Sequence, residues 1–319
     1  MKILYVVLPC YNEEEVLPET ASRLESKMLE LINKKAIHPN SRVLFVNDGS
    51  KDKTWEIISS FHKENSLFSG INLSNNRGHQ NALLAGLLYA KEYADMVVSM
   101  DADLQDDINI MDEMISLYHT GIDIVYAVRN KRTSDSFFKR FTAEAFYKFM
   151  NALGVKTIFN HADYRLMSKR SLEGLAQFKE VNLFLRGLIP LIGYPSAMVY
   201  FERSERFAGE SKYPLKKMLN FAIEGITSFS IKPIHMVSYA SFFSFFIGIV
   251  ILVYSVIQHF YGFTVSGWTS LIVSIWFVGG MMLMAIAIVG EYVGKIYIES
   301  KERPRYLYSE ILDKNRTKK

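Results

Sequence analysis

Asp101 and Asp103 are the residues whose type and spacing point most directly to chemistry. They follow an apolar run at residues 96–100 and are separated by Ala102. Two carboxylates placed in this way can bind one hard divalent cation, which usually bridges the phosphates of a substrate. Without a cation the two carboxylates would repel each other, which itself favours a bound ion. The spacing therefore predicts a Mg²⁺ or Mn²⁺ site, with a helix-capping aspartate beside a solvated one as the structural alternative.

Polar residues also follow two earlier apolar runs. Residues 9–14, Pro-Cys-Tyr-Asn-Glu-Glu, come after the run at 3–8, and residues 47–50, Asn-Asp-Gly-Ser, come after the run at 43–46. Each segment alone is ordinary turn chemistry. Together with Asp101 and Asp103, polar segments therefore follow three apolar runs. Three such segments are harder to explain as turns alone, and they predict one shared ligand site.

These segments need a scaffold that brings them together. The three apolar runs are short, rich in β-branched residues and suited to strands that are covered on both faces. Helical patterns lie between them, such as the stripe of Leu17, Leu24, Met28 and Leu31. Alternating strands and helices predict an α/β fold with a mostly parallel sheet and helices on both faces. Ligands bind beyond the carboxyl ends of the strands in such sheets, which is where the polar segments lie.

Composition and missing motifs disfavour several classes of protein. No Gly-x-Gly-x-x-Gly follows the first strand and no P-loop motif occurs, which disfavours a dinucleotide-binding dehydrogenase or a P-loop enzyme. The single cysteine excludes a disulfide scaffold and a four-cysteine zinc site. A net charge of +4 gives no strong basic field, so no nucleic-acid partner is expected. The remaining interpretation is a protein that binds a nucleotide through a metal ion held by carboxylates.

The C-terminal third of the chain differs from the rest in its lack of charged residues. Residues 233–290 contain no Asp, Glu, Lys or Arg over 58 positions, and a short aromatic break divides them into two apolar runs. A run of about 23 residues is about 34 Å long as a helix, enough to cross a bilayer. The pattern predicts transmembrane helices at 233–258 and 268–290, with a buried hairpin in a soluble core as the alternative.

The flanking segments predict the orientation. Residues 213–232 have an amphipathic pattern and are predicted to form an interfacial helix, for which packing on the head is the alternative. Residues 291–319 hold eight basic and five acidic residues and are predicted to be a basic cytoplasmic tail. The excess of Lys and Arg near the spans places the head, 1–212, and the tail in the cytoplasm of a two-span membrane protein.

Taken together, these ordered motifs resemble the family-2 glycosyltransferases with a GT-A fold. The similarity runs from Leu8 to about Tyr213 and is greatest to the polyisoprenyl-phosphate glycosyltransferases, which include dolichol-phosphate mannose synthases and bacterial undecaprenyl-phosphate sugar transferases. The two C-terminal spans match the bacterial members. The resemblance implies a Rossmann-like GT-A domain over 1–212 followed by a transmembrane hairpin.

The resemblance also implies roles for individual residues. The base and ribose of a nucleotide-sugar would be held by Pro9, Tyr11, Asn12, Glu13, Val46 and Asp48. The metal and diphosphate motif would be Asp101, Ala102 and Asp103, and Gly78 would allow close approach of the backbone. Phosphate would be contacted by Arg129, Arg206 and Lys212. The acceptor-side aspartate would be Asp163, for which a structural carboxylate paired with Arg165 is the alternative, while Arg206 and Lys212 could instead lie in a solvated loop.

The implied activity is inverting transfer of one sugar from a nucleotide-sugar, with uridine the favoured base, to a polyprenyl phosphate. The implied partners are the donor, undecaprenyl phosphate as acceptor, the bilayer and further copies in a homo-oligomer. Two departures from the family pattern are the non-proline segment at 107–109 and Arg77 at a position where an aromatic is frequent. A non-catalytic membrane scaffold with a nucleotide-binding head and a metal-dependent phosphotransferase using Asp101 and Asp103 as nucleophile and acid are the alternatives.

Overall fold

A computed structural model gives the architecture of the protein. It describes residues 1–129, 161–181, 183–201 and 267–315, together with scattered positions between 234 and 261. The chain divides into two compact units. The first contains Met1–Tyr147, Lys156–Tyr213 and Arg303–Lys319, and the second contains Lys148–Val155 and Pro214–Glu302.

The first unit alternates strands and helices as the sequence predicts. Its strands are β1 (Leu4–Cys10), β2 (Arg42–Asn47), β3 (Phe68–Leu73), β4 (Met96–Ser99), β5 (Ile124–Arg129), β6 (His161–Ser168), β7 (Ser196–Phe201) and β8 (Tyr308–Leu312). Its helices are α1 (Leu17–Asn33), α2 (Thr54–Glu64), α3 (His79–Ala90), α4 (Met111–His119), α5 (Lys169–Leu175) and α6 (Leu185–Leu191). A single 3-10 turn, Ile108–Ile110, leads into α4.

All eight strands form one sheet in the order β7-β5-β6-β4-β1-β2-β3-β8. Strands β4, β1, β2 and β3 run parallel, as do β5 and β7. Strand β6 is antiparallel to both of its neighbours, and β8 is antiparallel to β3. The sheet is therefore mixed, with a parallel centre, where the sequence predicted a mostly parallel one.

Helices cover both faces of the sheet, as predicted. Along β1, Leu4, Val6 and Leu8 belong to one buried cluster and Tyr5 and Val7 to another, because successive side chains of a strand point to opposite faces. The first cluster contains the apolar stripe of α1, and the second contains the buried side of α3.

Helix α3 packs very closely on the sheet. A Cβ atom at Gly86 would lie 2.4 Å from Cγ1 of Val7 and 2.7 Å from Cγ2 of Val46. Real Cβ contacts are not this short, so the glycine is what allows α3 to approach β1 and β2. The amino end of α3 is thereby held at the carboxyl edge of the central strands.

Strand β8 returns the chain to the first unit and was not predicted, since it lies within the segment 291–319 that was interpreted as a basic tail. The residue after it, Asp313, is buried and accepts hydrogen bonds from the hydroxyls of Tyr5 (3.1 Å), Tyr89 (3.0 Å) and Ser69 (3.2 Å). Tyr308 donates to the carbonyl oxygen of Ala85 at 3.0 Å. The strand is therefore tied to β1, β3 and α3.

The second unit contains a long apolar helix, α7 (Trp268–Ser300). Its segment Phe277–Ser300 is long and apolar enough to cross a membrane, with a mean hydropathy of 1.7. Helix α7 starts where the second span was predicted to start, at residue 268, but it continues past Gly290 to Ser300. Within the described residues it is the one helix that meets this criterion, so the predicted two-helix hairpin is not confirmed. The span at 233–258 is described only at scattered positions, and the interfacial helix at 213–232 lies outside the described residues.

Candidate active site

The three polar segments meet at one edge of the sheet. In the parallel ladders Cys10 lies opposite Asn47, and Val7 lies opposite Ser99. The amide of Asp48 donates to the carbonyl oxygen of Cys10 at 2.9 Å, which joins the first two segments directly. The predicted convergence of the strand ends is what the geometry shows.

The segment after β1 lines a cavity of about 440 Å³. Asn12 has a left-handed backbone (φ 55°), its amide donates to Oγ of Ser50 at 3.0 Å, and its side-chain oxygen accepts from the amide of Lys51 at 2.9 Å. The amide of Glu13 donates to the Thr54 hydroxyl at 2.9 Å. The cavity is lined by Asn12, Glu13, Glu14, Glu15, Val16, Lys51 and Asp52.

The other residues predicted to hold the nucleotide differ in exposure. Tyr11 is exposed beside this cavity segment, whereas Pro9 is buried in β1. Val46 is fully buried and packs against α3 within the second cluster. Its side chain therefore contributes to the packing of α3 on the sheet.

Asp48 binds the backbone of the loop that precedes α3. Its two carboxylate oxygens accept the backbone N–H groups of Arg77 (2.7 Å) and Gly78 (2.9 Å). Gly78 has φ 85°, a conformation that favours glycine, although a Cβ there would meet no atom within 4 Å. Burial raises the pKa of Asp48, and the two backbone donors oppose that rise.

Asp101 and Asp103 lie at the start of the loop after β4. One oxygen of Asp101, Oδ1, is buried and accepts no hydrogen bond, while Oδ1 of Asp103 accepts the amide of Gln105 at 3.2 Å. Ala102 is buried, and its carbonyl oxygen accepts the Thr20 hydroxyl at 2.8 Å.

The electrostatics of this pair suit a cation. Burial raises the pKa of Asp101, the nearby charges of Asp163 and Asp103 raise it further, and His79 and Arg186 oppose the rise. A buried carboxylate oxygen that accepts no hydrogen bond, beside a second carboxylate, fits a divalent ion, because such ions prefer carboxylate oxygens as ligands. Among the described residues no group of three or more His, Cys, Asp or Glu side chains could hold a metal ion, so substrate and water would have to complete the coordination.

Asp163, on β6, is buried and surrounded by cationic side chains. Its Oδ1 accepts Nη2 of Arg165 at 2.5 Å and Nε of Arg186 at 3.2 Å, and its Oδ2 accepts Nη2 of Arg186 at 2.9 Å. Nε2 of His79 lies 3.7 Å from Oδ2 of Asp163 and 3.5 Å from Oδ1 of Asp101. His79 therefore lies between Asp163 and Asp101.

These contacts decide the charge of Asp163. Burial opposes its ionisation, but the interactions with His79, Arg165 and Arg186 outweigh burial and hold the pKa of Asp163 well below its usual range. The pairing with Arg165, which was the structural alternative, is present. Asp163 is thus a firmly ionised carboxylate.

Sequence reasoning missed three members of this site: His79, Gln80 and Arg186. Gln80 accepts the amide of Leu185 at 2.9 Å through its side-chain oxygen, and so joins the start of α3 to the start of α6. His79 and Gln80 directly follow Gly78, to which the family resemblance does assign a role, and this position could have indicated them. No pattern marks Arg186, whose partner is 23 residues away.

The remaining predicted residues are only partly covered. Arg129 ends β5 and its backbone pairs with that of Phe201, while Arg206 and Lys212 lie outside the described residues.

Comparison with known proteins identifies the family. The sequence model of the family described as Glycosyl transferase family 2 matches residues 5–175, which is more than half of the chain. The chain belongs to glycosyl transferase family 2. The resemblance found in the motifs is therefore confirmed, and the protein is a glycosyltransferase.

Full-length relatives of this family 2 glycosyltransferase extend the similarity to the C-terminal region. An uncharacterized glycosyltransferase, YkoT, of Bacillus subtilis (strain 168) is 52% identical over 315 residues, covering 97% of this chain and 94% of the relative. A bactoprenol glucosyl transferase of Shigella phage SfV is 39% identical, covering 96% of this chain and 98% of the relative. Among solved structures, mannosyl-3-phosphoglycerate synthase from Rubrobacter xylanophilus has a TM-score of 0.46 at 15% identity, covering 70% of this chain and 71% of that one.

Proposed function

We propose that this family 2 glycosyltransferase transfers a sugar from a uridine diphosphate sugar to undecaprenyl phosphate at the cytoplasmic face of a membrane, with inversion at the anomeric carbon. The observation that carries the proposal is the cluster at the sheet edge, where Asp101, whose buried Oδ1 accepts no hydrogen bond, lies beside Asp103 and is connected through His79 to Asp163. The relatives named as bactoprenol glucosyl transferases support a polyprenyl phosphate as acceptor.

The donor fits between the cavity and the metal motif. The base and ribose are assigned to the segment at 9–13, whose Asn12 and Glu13 line the cavity. Asp48 contributes by holding the backbone of Arg77 and Gly78 in place. A divalent cation, Mg²⁺ or Mn²⁺, held by Asp101 and Asp103 would neutralise the charge that grows on the departing diphosphate.

The reaction forms a bond between a phosphate oxygen of the acceptor and the anomeric carbon, and breaks the bond from that carbon to the diphosphate. The bonding electrons leave with the nucleoside diphosphate. A phosphate monoester has a second pKa near about 6, so the acceptor is mostly ionised at neutral pH and needs little proton abstraction. Direct displacement inverts the configuration of the sugar. The predicted phosphate contacts of Arg129, Arg206 and Lys212 would stabilise charge on both reacting groups.

The return of the chain to the sheet supports a two-span arrangement. Strands β1 to β7 and strand β8 belong to one folded unit, which can lie on only one side of a membrane. The segment between them must therefore cross an even number of times. Helix α7 supplies one crossing by its length and composition, and the apolar run at 233–258 is the natural second one. The basic residues that flank the spans favour the cytoplasmic side for the head.

A direct assay tests the proposal. Full-length protein in detergent is incubated with Mn²⁺ or Mg²⁺, undecaprenyl phosphate and each of several labelled uridine diphosphate sugars, and the lipid phase is analysed. We expect one sugar to enter the lipid phase with inverted linkage. No labelled lipid with any donor would support the scaffold alternative, and a phosphorylated Asp101 or Asp103 would support the phosphotransferase.

A further inference from the structure

Arg186 is the partly exposed member of the cationic group around Asp163. It approaches Asp163 side-on with Nε and Nη2, so that one guanidinium edge contacts both carboxylate oxygens. The Arg186 side chain is 39% exposed, whereas that of Arg165 is 0% exposed. The Arg186 guanidinium is therefore held in a fixed orientation at the surface of the site.

Two guanidinium groups share one carboxylate here, since Asp163 contacts both Arg165 and Arg186, and an arginine remains protonated in proteins. Arg165 is buried, so Arg186 is the guanidinium of the two that solvent can reach. The positive charge of Arg186 also acts on Asp101, so it reaches the metal motif.

The geometry makes Asp163 a poor proton acceptor. A general base needs an oxygen within hydrogen-bond reach of the proton that it removes. Both oxygens of Asp163 already accept guanidinium N–H groups, and its side chain is only 7% exposed. A role through its neighbours fits these contacts better than a role as base.

We propose that Arg186 is a phosphate-binding residue of the transfer reaction and that Asp163 is the positioning residue that holds its guanidinium toward the metal motif. The inference rests on the proposed function and adds a group to its site. A guanidinium fork matches the oxygens of a phosphate group, and Arg186 is both fixed by Asp163 and accessible from the site. That phosphate belongs either to the lipid acceptor or to the donor diphosphate.

Arg186→Gln and Arg186→Lys test the proposal in full-length protein. The matched control is Arg170→Gln, because Arg170 contacts Asp123 through the same Nε and Nη2 atoms but does so before β5, at the opposite edge of the sheet. We expect Arg186→Gln to lower kcat/KM about 100-fold, as the loss of one charged donor at a developing charge does. We expect a smaller loss for Arg186→Lys and a change of less than about threefold for the control.

Separate Michaelis constants identify the phosphate. A rise in KM for undecaprenyl phosphate with an unchanged KM for the nucleotide-sugar places Arg186 at the acceptor, and the reverse places it at the donor diphosphate. Rescue of Arg186→Ala by added ethylguanidinium is expected, since a purely structural role would not give it. Activity of Arg186→Gln within threefold of the control would overturn the inference. If the unmodified protein makes no lipid-linked sugar, the proposed function itself fails, which is a separate result.

A double-mutant cycle tests the role of Asp163. If Asp163 acts through Arg186, Asp163→Asn should cost activity in the unmodified protein but almost none in the Arg186→Gln background. Equal losses in both backgrounds would show that Asp163 acts on its own and would overturn its assignment as a positioning residue. Because Asp163→Asn leaves Arg165 buried beside a neutral group, Asp163→Glu, which keeps the charge, is assayed in the same two backgrounds. It must show the same dependence on Arg186, so the test stands even where the asparagine variant does not fold.

Discussion

Replacing Asp313 by alanine should destabilise the first unit far more than the loss of an ordinary surface carboxylate. The substitution removes the acceptor of two buried tyrosine hydroxyls, those of Tyr5 (0% exposed) and Tyr89 (8% exposed), and of the Ser69 hydroxyl. A buried donor left without a partner costs about 1–3 kcal/mol. With two tyrosines affected we expect a loss of about 2–6 kcal/mol.

The measurement is thermal unfolding of the full-length protein in detergent. For a domain of about 200 residues this loss corresponds to a fall in Tm of about 4–24 °C. Lys2→Ala is the control, because Lys2 pairs with Asp95 at the surface and such pairs contribute about 0–1 kcal/mol. If the Asp313→Ala protein melts within about 2 °C of the control, the contacts of β8 do not stabilise the sheet and the reasoning is wrong.

Three further predictions concern α3 and the site. Gly86→Ala should cost about 1–3 kcal/mol, because the added Cβ would overlap Val7, and urea unfolding should show it; a stability equal to that of the unmodified protein would mean that α3 can move away. Burial opposes protonation of His79, but interactions with Asp163 and Asp101 raise its pKa overall, so its contribution to stability is complete below about pH 6.5 and is lost as the pH rises through the raised value. The difference in Tm between the unmodified protein and His79→Gln should therefore be larger at pH 6 than at pH 9, and the opposite trend would contradict the assigned contacts. Asp103→Asn should lower turnover at least about 100-fold and raise the Mn²⁺ concentration needed for half activity, and an unchanged metal dependence would exclude Asp103 as a ligand.

The central strands were predictable because their physics is local. Strands β1, β2 and β4 are covered on both faces, so each is a continuous apolar run, and helix α1 buries one regular stripe. Strand β3 escaped because Ser69, Gly70 and Asn72 interrupt its apolar character. Strand β7 alternates exposed and buried positions at the edge of the sheet, and β8 is largely exposed. Strand β8 carries no apolar run that distinguishes it from a loop, whereas the apolar residues 197–201 of β7 could have indicated a strand.

The site was predictable to the extent that it follows strand ends. Asp48, Asp101 and Asp103 were found because parallel strands place their carboxyl ends at one edge. The contact between Asp163 and Arg165 was foreseen as an alternative, since residues two apart in a strand share a face. The contact of Asp163 with Arg186 depends on how α6 packs, which no short-range pattern encodes.

The return of β8 has a consequence for how the protein is made. Tyr5 and Asp313 are 308 positions apart. The ribosome therefore has to synthesise the whole apolar segment between them before their hydrogen bond can form. Until then the outer edge of β3 lacks its neighbour and offers unpaired backbone groups to any other strand. Synthesis of the apolar segment thus precedes closure of the catalytic sheet. A protein that ends at residue 232 would lack β8, would keep that edge open and would be prone to aggregate.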